Sequence, residues 1–117
     1  MTVRTLMVDD HPGFRALARE LLELDGFQVV AEAGSGAAAL DLAVRLTPDL
    51  VLLDIGLPDI DGFEVARRLA ALDPAPLVVL ISSRDRSAYR TRLAGSPVRG
   101  FLPKGELSGA AIADLIG

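Results

Sequence analysis

Five short runs rich in Val, Ile and Leu recur along this chain, at Thr5–Val8, Gln28–Ala31, Leu50–Leu53, Leu77–Ile81 and Val98–Leu102. None alternates cleanly between apolar and polar residues. A strand with one wet face must alternate, so these strands are expected to be buried on both faces, as in a parallel sheet covered by helices on each side. The intervening segments, Pro12–Asp25, Gly36–Leu46, Gly62–Leu72, Arg86–Leu93 and Leu107–Ile116, read as helices. In the third, Val65, Leu69 and Leu72 fall on one face. Strand and helix in strict alternation specify an α/β fold with right-handed crossovers.

Local signals place the helix boundaries. Pro12 suits a first helical position, where its missing N–H costs nothing. Gly26 is a natural stop, Thr47-Pro48 ends the second helix, and Asp61 can cap the third. No linker, repeat or low-complexity segment divides the chain, so residues 1–117 are read as one domain. Fold analogy suggests a doubly wound five-stranded parallel sheet in the flavodoxin-like order 2-1-3-4-5, flanked by five helices.

Composition narrows the function classes. Hydrophobic residues make up 50% and charged residues 24%, the balance of a chain that folds. The net charge of −4 argues against a nucleic-acid surface, which needs a basic stripe. Without cysteine, disulfides and thiolate zinc sites are excluded. The opening "MTVRTLMVDDHPGF" carries acids too early for a secretory signal, and no apolar run approaches a membrane span. A soluble cytoplasmic protein is the expectation.

In open parallel sheets, ligands bind beyond the carboxyl ends of the strands. The first strand ends in Asp9 and Asp10, and the third in Asp54, which interrupts an otherwise apolar stretch from Leu50 to Ile55. The fourth ends in Ser82 and Ser83; the fifth ends in Lys104, the only lysine beside eleven arginines. If the first, third, fourth and fifth strands are neighbours, three carboxylates, a hydroxyl and an ammonium converge. Carboxylates so placed repel, and one or more resists ionisation. A divalent cation relieves this: Mg²⁺ prefers carboxylate oxygens, retains waters and often shares a phosphate ligand. The set therefore suits a metal and a phosphoryl group. Singly, each residue has a plainer reading: Asp9 and Asp10 as helix caps, Asp54 as a solvated strand end, Ser82 as a turn residue, Lys104 as a surface lysine. Those readings weaken together, because all must hold at the same edge of the sheet.

Over essentially its whole length the chain resembles the receiver domain of two-component response regulators, most closely the NarL/LuxR type. The resemblance rests on "VDDHP", "LLDIGLPDIDG", "LISS" and "GFLPK" in this order and spacing. It implies a phosphorelay switch, not an enzyme beyond self-phosphorylation and slow self-dephosphorylation. Asp54 would accept a phosphoryl group from a histidine kinase or phosphotransfer protein, with Mg²⁺ as cofactor, and change the surface offered to an output domain or partner. Asp10 would ligate the metal directly, Asp9 through water, Asp54 by its carboxylate and Gly56 by its backbone carbonyl. Ser82 would hydrogen-bond a phosphoryl oxygen, and Lys104 would pair with another. Phe101 matches the aromatic switch position and would pack inward once Ser82 is drawn to the phosphate. Arg84, with Gly56, stands where hydrolysis of the phosphate is tuned. A homodimer is a further partner the family admits; DNA would be reached only through an output domain absent from this chain, and no membrane is implied.

Two stretches depart from the family pattern. In "TRLAGSPVRGF", Gly95 and Pro97 should end the fourth helix early. Gly105, not proline, follows Lys104. His11, the only histidine, is read as the start of the first helix. A chain ending at Gly117 is either a single-domain regulator or the receiver of a longer DNA-binding protein. Two alternatives stand beside the switch. One is a phosphate-independent pseudo-receiver, which the intact acid, hydroxyl and lysine set argues against. The other is a Mg²⁺-dependent aspartyl-phosphate phosphatase, which wants a general acid where Gly56 stands. A flavodoxin-like FMN site would need a phosphate cradle where the acidic "VDDHPGF" lies.

Overall fold

The computed structural model describes residues 2–117. Five strands, β1 (Val3–Val8), β2 (Phe27–Ala33), β3 (Leu50–Asp54), β4 (Leu77–Ser82) and β5 (Gly100–Pro103), alternate with helices α1 (Pro12–Leu24), α2 (Gly36–Leu46), α3 (Gly62–Ala70), α4 (Arg90–Ala94) and α5 (Gly109–Ile116). One 3-10 turn, Arg86–Tyr89, precedes α4, and another, Lys104–Glu106, precedes α5. Every strand pairing is parallel and the order is β2-β1-β3-β4-β5, as the analogy suggested.

The non-alternating runs have a direct cause. Successive strand residues point to opposite faces, so a strand covered on both sides is apolar at every position. On one face Leu6, Val8, Val51, Leu53 and Leu80 pack with Ala39 and Ala43 of α2 and with Phe63, Val65 and Leu69 of α3. On the other, Met7, Leu50, Leu52, Val79 and Ile81 pack with Ala18 and Leu22 of α1 and Ile112 of α5.

Helix ends follow their local chemistry. Pro12 opens α1, and Gly26 beyond its end takes φ +88°, a conformation costly for residues with a Cβ. The Ser35 hydroxyl accepts the Ala38 N–H at the start of α2, which ends on Thr47 in the left-handed region before Pro48. Asp61 accepts the Phe63 N–H at the start of α3.

The C-terminal third differs from the sequence-based expectation in three places. The ladder between β4 and β5 opens at Arg99, whose N–H donates to Val78 O at 2.8 Å, so Val98 lies outside the strand. The fourth helix is no continuous Arg86–Leu93 segment but a 3-10 turn followed by the short α4, which stops at Gly95 as the Gly-Pro signal required. The fifth helix begins after Ser108, whose hydroxyl accepts the Ala111 N–H; Leu107 stays extended and buried in the core.

Candidate functional site

The strand order sets β1 beside β3, with Val8 opposite Leu53, so the residues that follow, Asp9 and Asp54, emerge together. Asp9 is held from several sides. Its N–H donates to Ala33 O at 3.0 Å, its Oδ1 accepts the His11 N–H at 2.8 Å, and its carbonyl accepts Arg15 Nη1 at 2.5 Å. Arg15 is in turn fixed by Glu32 at 3.0 Å. Asp9 is 0% exposed, whereas Asp10 stands partly open at the rim. Lys104 arrives from the 3-10 turn after β5. Its Nζ lies 2.6 Å from Asp9 Oδ2, 3.5 Å from Asp54 Oδ2 and 4.6 Å from the centre of the Phe14 ring.

These contacts decide the charges. Burial pushes the Asp54 carboxyl up and the nearby charge of Asp9 adds to this; the Gly56 N–H, at 3.1 Å from Oδ1, and Lys104 pull against it without cancelling it. Burial pulls Lys104 down, but its contact with Asp9 and the charges of Asp54 and Asp9 outweigh that and raise it, so it remains an ammonium. One cation thus serves two buried carboxylates.

Asp9, Asp10, Asp54 and Lys104 converge. Gly56 is exposed at the mouth and reaches Asp54 through its N–H. Ser82, at the end of β4, is 4% exposed, and its Oγ accepts the Arg84 N–H at 3.0 Å. The exposed Arg84 side chain makes no ion pair or hydrogen bond among the described residues. His11 starts α1 as expected, and its ring also lies against the acids, with Nδ1 3.1 Å from both Asp9 Oδ1 and Asp10 Oδ1. Phe101, expected to pack inward on switching, is fully buried in this structure, against Tyr89 and the core of the α2–α3 face.

The sequence reading missed Tyr89, Asp59 and the side-chain bond of Asp61 to α4. Tyr89 OH lies 2.9 Å from Ser82 Oγ. Asp59 accepts the N–H groups of Gly36 and Ala37 at 2.8 and 3.0 Å, fastening the loop after β3 to the start of α2. Asp61, besides capping α3, accepts Arg92 of α4 at 2.7 Å. The one available signal was Tyr89 being the sole tyrosine, seven residues past Ser82.

The donor set fits a divalent cation. Asp9, Asp10, His11 and Asp54 each offer an atom within 4.8 Å of the others. Asp10 Oδ1 is shielded from solvent and accepts no hydrogen bond, and Asp9 Oδ2 meets Lys104 as an ion pair without an aligned hydrogen bond. Buried carboxylate oxygens left in this state want a cation, and oxygen donors are those Mg²⁺ prefers.

Residues 5–114 match the response regulator receiver domain. The chain is 36% identical over 115 residues to the response regulator GacA of Pseudomonas viridiflava, covering 97% of this chain and 52% of that protein. Identity to GacA of Pseudomonas protegens is 38% over 104 residues, 88% of this chain and 49% of that protein. A crystal structure of a LuxR-family two-component response regulator from Aurantimonas sp. SI85-9A1 superposes with a TM-score of 0.87 at 33% identity, covering 100% of this chain and 87% of that one. The chain belongs to the receiver domains of two-component response regulators, a family of phosphorylation switches that use magnesium. It spans about half the length of the curated relatives it matches. Among the described residues no helix is long and apolar enough to cross a membrane.

Proposed function

We propose that residues 1–117 form one receiver domain that accepts a phosphoryl group on Asp54 from a cytoplasmic histidine kinase or phosphotransfer protein. The observation that carries this reading is the buried Asp54 carboxylate set 3.5 Å from the only lysine and packed against two further acids.

Asp10, Asp9, Asp54 and the Gly56 carbonyl would hold Mg²⁺, which when bound supplies positive charge between the carboxylates and the incoming phosphoryl oxygens. The chain's own groups do the rest. An Asp54 oxygen attacks phosphorus in line, the P–N bond of the donor phosphohistidine breaks, and the departing imidazole keeps the electron pair and takes a proton. Lys104 holds its ammonium beside the phosphoryl oxygens, and Ser82 donates its hydroxyl proton to another. Arg84 and Gly56 would govern the approach of the water that later hydrolyses the acyl phosphate. The added charge pulls on Ser82 and the segment behind it, and the partner surface around α4 and β5 changes. DNA is engaged only through an output domain outside these residues, and a homodimer is a second use of the changed surface.

Incubation with Mg²⁺ and acetyl phosphate tests this. One hydroxylamine-labile phosphoryl group should appear by intact mass, be absent in Asp54→Ala and in chelator, and be lost slowly. Rapid multiple turnover of phosphate esters would make the protein a phosphatase. No uptake would make it a pseudo-receiver.

A further inference from the structure

Tyr89 is the only tyrosine of the chain. Its ring lies between those of Phe63 and Phe101, at centroid distances of 5.9 and 5.8 Å. Its hydroxyl lies 2.9 Å from Ser82 Oγ, which also accepts the Arg84 N–H at 3.0 Å. The 3-10 turn that ends in Tyr89 buries no residue. The half-buried ring packs against the core, and the hydroxyl contact ties the segment to the site.

A serine hydroxyl has one proton and two acceptor lone pairs. The Arg84 N–H fills one lone pair. Tyr89 can then either receive the serine proton or donate its own to the second lone pair. If Ser82 gives its proton to a phosphoryl oxygen, only the second arrangement remains. Both lone pairs are then filled from the protein, and the serine proton is the one group left to point at the ligand.

We propose that Tyr89 is a positioning residue: by donating its hydroxyl to Ser82 Oγ, it directs the serine proton toward the phosphoryl group on Asp54. The inference rests on the phosphorylation of Asp54 proposed above. It assigns the hydroxyl that communicates with Ser82 to the segment before α4. The β5 aromatic, Phe101, is buried and has no hydroxyl to offer.

A mutant cycle on the full chain tests it. Beryllofluoride, a phosphoryl mimic that binds carboxylates, is titrated with Mg²⁺ into the unaltered protein, Tyr89→Phe, Ser82→Ala and the double variant. Tyr89→Phe keeps the ring between its two neighbours and removes the donor. It should weaken binding about five-fold, the scale of one net neutral hydrogen bond. In the Ser82→Ala background the same change should have no effect, and Ser82→Thr should restore the dependence on Tyr89. Because the chain lacks tryptophan, its near-ultraviolet emission comes from Tyr89 alone. That emission should change on ligand binding in the unaltered protein and stay constant in Ser82→Ala, a readout independent of how well Tyr89→Phe folds. Equal affinity of Tyr89→Phe and the unaltered protein would overturn the inference, as would an equal loss with and without the Ser82 hydroxyl, or emission that ignores Ser82. If the unaltered protein takes no phosphoryl group from acetyl phosphate, the Asp54 reading fails and this inference with it. Normal uptake with additive mutations removes Tyr89 alone.

Discussion

Helices α3 and α4 each follow a strand that ends in site chemistry, β3 with Asp54 and β4 with Ser82, yet different physics holds them. Within α3, Gly62, Phe63, Val65, Ala66 and Leu69 are buried; α4 and the turn before it have no fully buried residue, only Tyr89 and Leu93 half-buried against the core. Its attachments are side-chain tethers. Arg92 binds Asp61 and lies 4.2 Å from the centre of the Phe63 ring, Tyr89 reaches Ser82, and Arg86 donates to Phe101 O at 3.1 Å. Full burial of one Leu or Phe side chain contributes about 1.5–3 kcal/mol. An exposed ion pair contributes about 0.2–1 kcal/mol. α3 is therefore held mainly by burial, and the segment from Arg86 to Ala94 by weaker contacts.

The largest test of this contrast is Leu69→Ala, which empties a fully buried position and should cost about 2–5 kcal/mol in urea unfolding. Leu93→Ala in α4, at a half-buried position, should cost much less. Comparable losses would erase the distinction. A glycine pair comes next. A Cβ on Gly62 would stand 2.6 Å from Ile55 Cα and 2.9 Å from Asp54 O, both backbone, so Gly62→Ala should destabilise by about 1–3 kcal/mol and impair phosphoryl uptake. At Gly95, with φ −100° and nothing near, Gly95→Ala should be neutral or stabilise by about 0.4–1 kcal/mol. Amide exchange sharpens the comparison directly: α4 should exchange by local opening while the central turns of α3 exchange only on global unfolding.

The smallest effect concerns Arg92. Partial burial pushes the Asp61 carboxyl up, but Arg92 and the Phe63 N–H outweigh it and hold it below the usual carboxylate range. A folded value below the unfolded one contributes stability above the unfolded value, and that stability is lost as pH falls through the folded value. Arg92→Ala should therefore cost under about 1 kcal/mol at neutral pH, with the gap closing in acid. A gap that persists unchanged in acid would show that the ring contact, not the ion pair, is the tether.

The same contrast explains what could be read from the chain. Where burial decides, as in Leu50–Leu53 or the Val65, Leu69 stripe, the pattern is local and the elements follow from it. Asp9, Asp54 and Lys104 were legible because each ends an apolar run, so their meeting needs only the strand order. Tyr89, Asp59 and Arg92 were not. Their partners lie 7, 23 and 31 residues or so away, across irregular turns, and no periodicity encodes such a bond. The same holds for the break between the 3-10 turn and α4, where no buried residue gives the helix a face to display.

The seven residues Gly56–Gly62 could be mistaken for a portable cassette carrying the nucleophile's loop. They are not one, because Asp59 is clasped by α2 and Asp61 is shared with α4. Transplanted onto another sheet without the Gly36 amide and the Arg92 guanidinium, the loop would keep its letters and lose its shape. A sequence that changes Asp59 or Asp61 should accordingly be inspected at residues 36 and 92 before its reactive aspartate is judged.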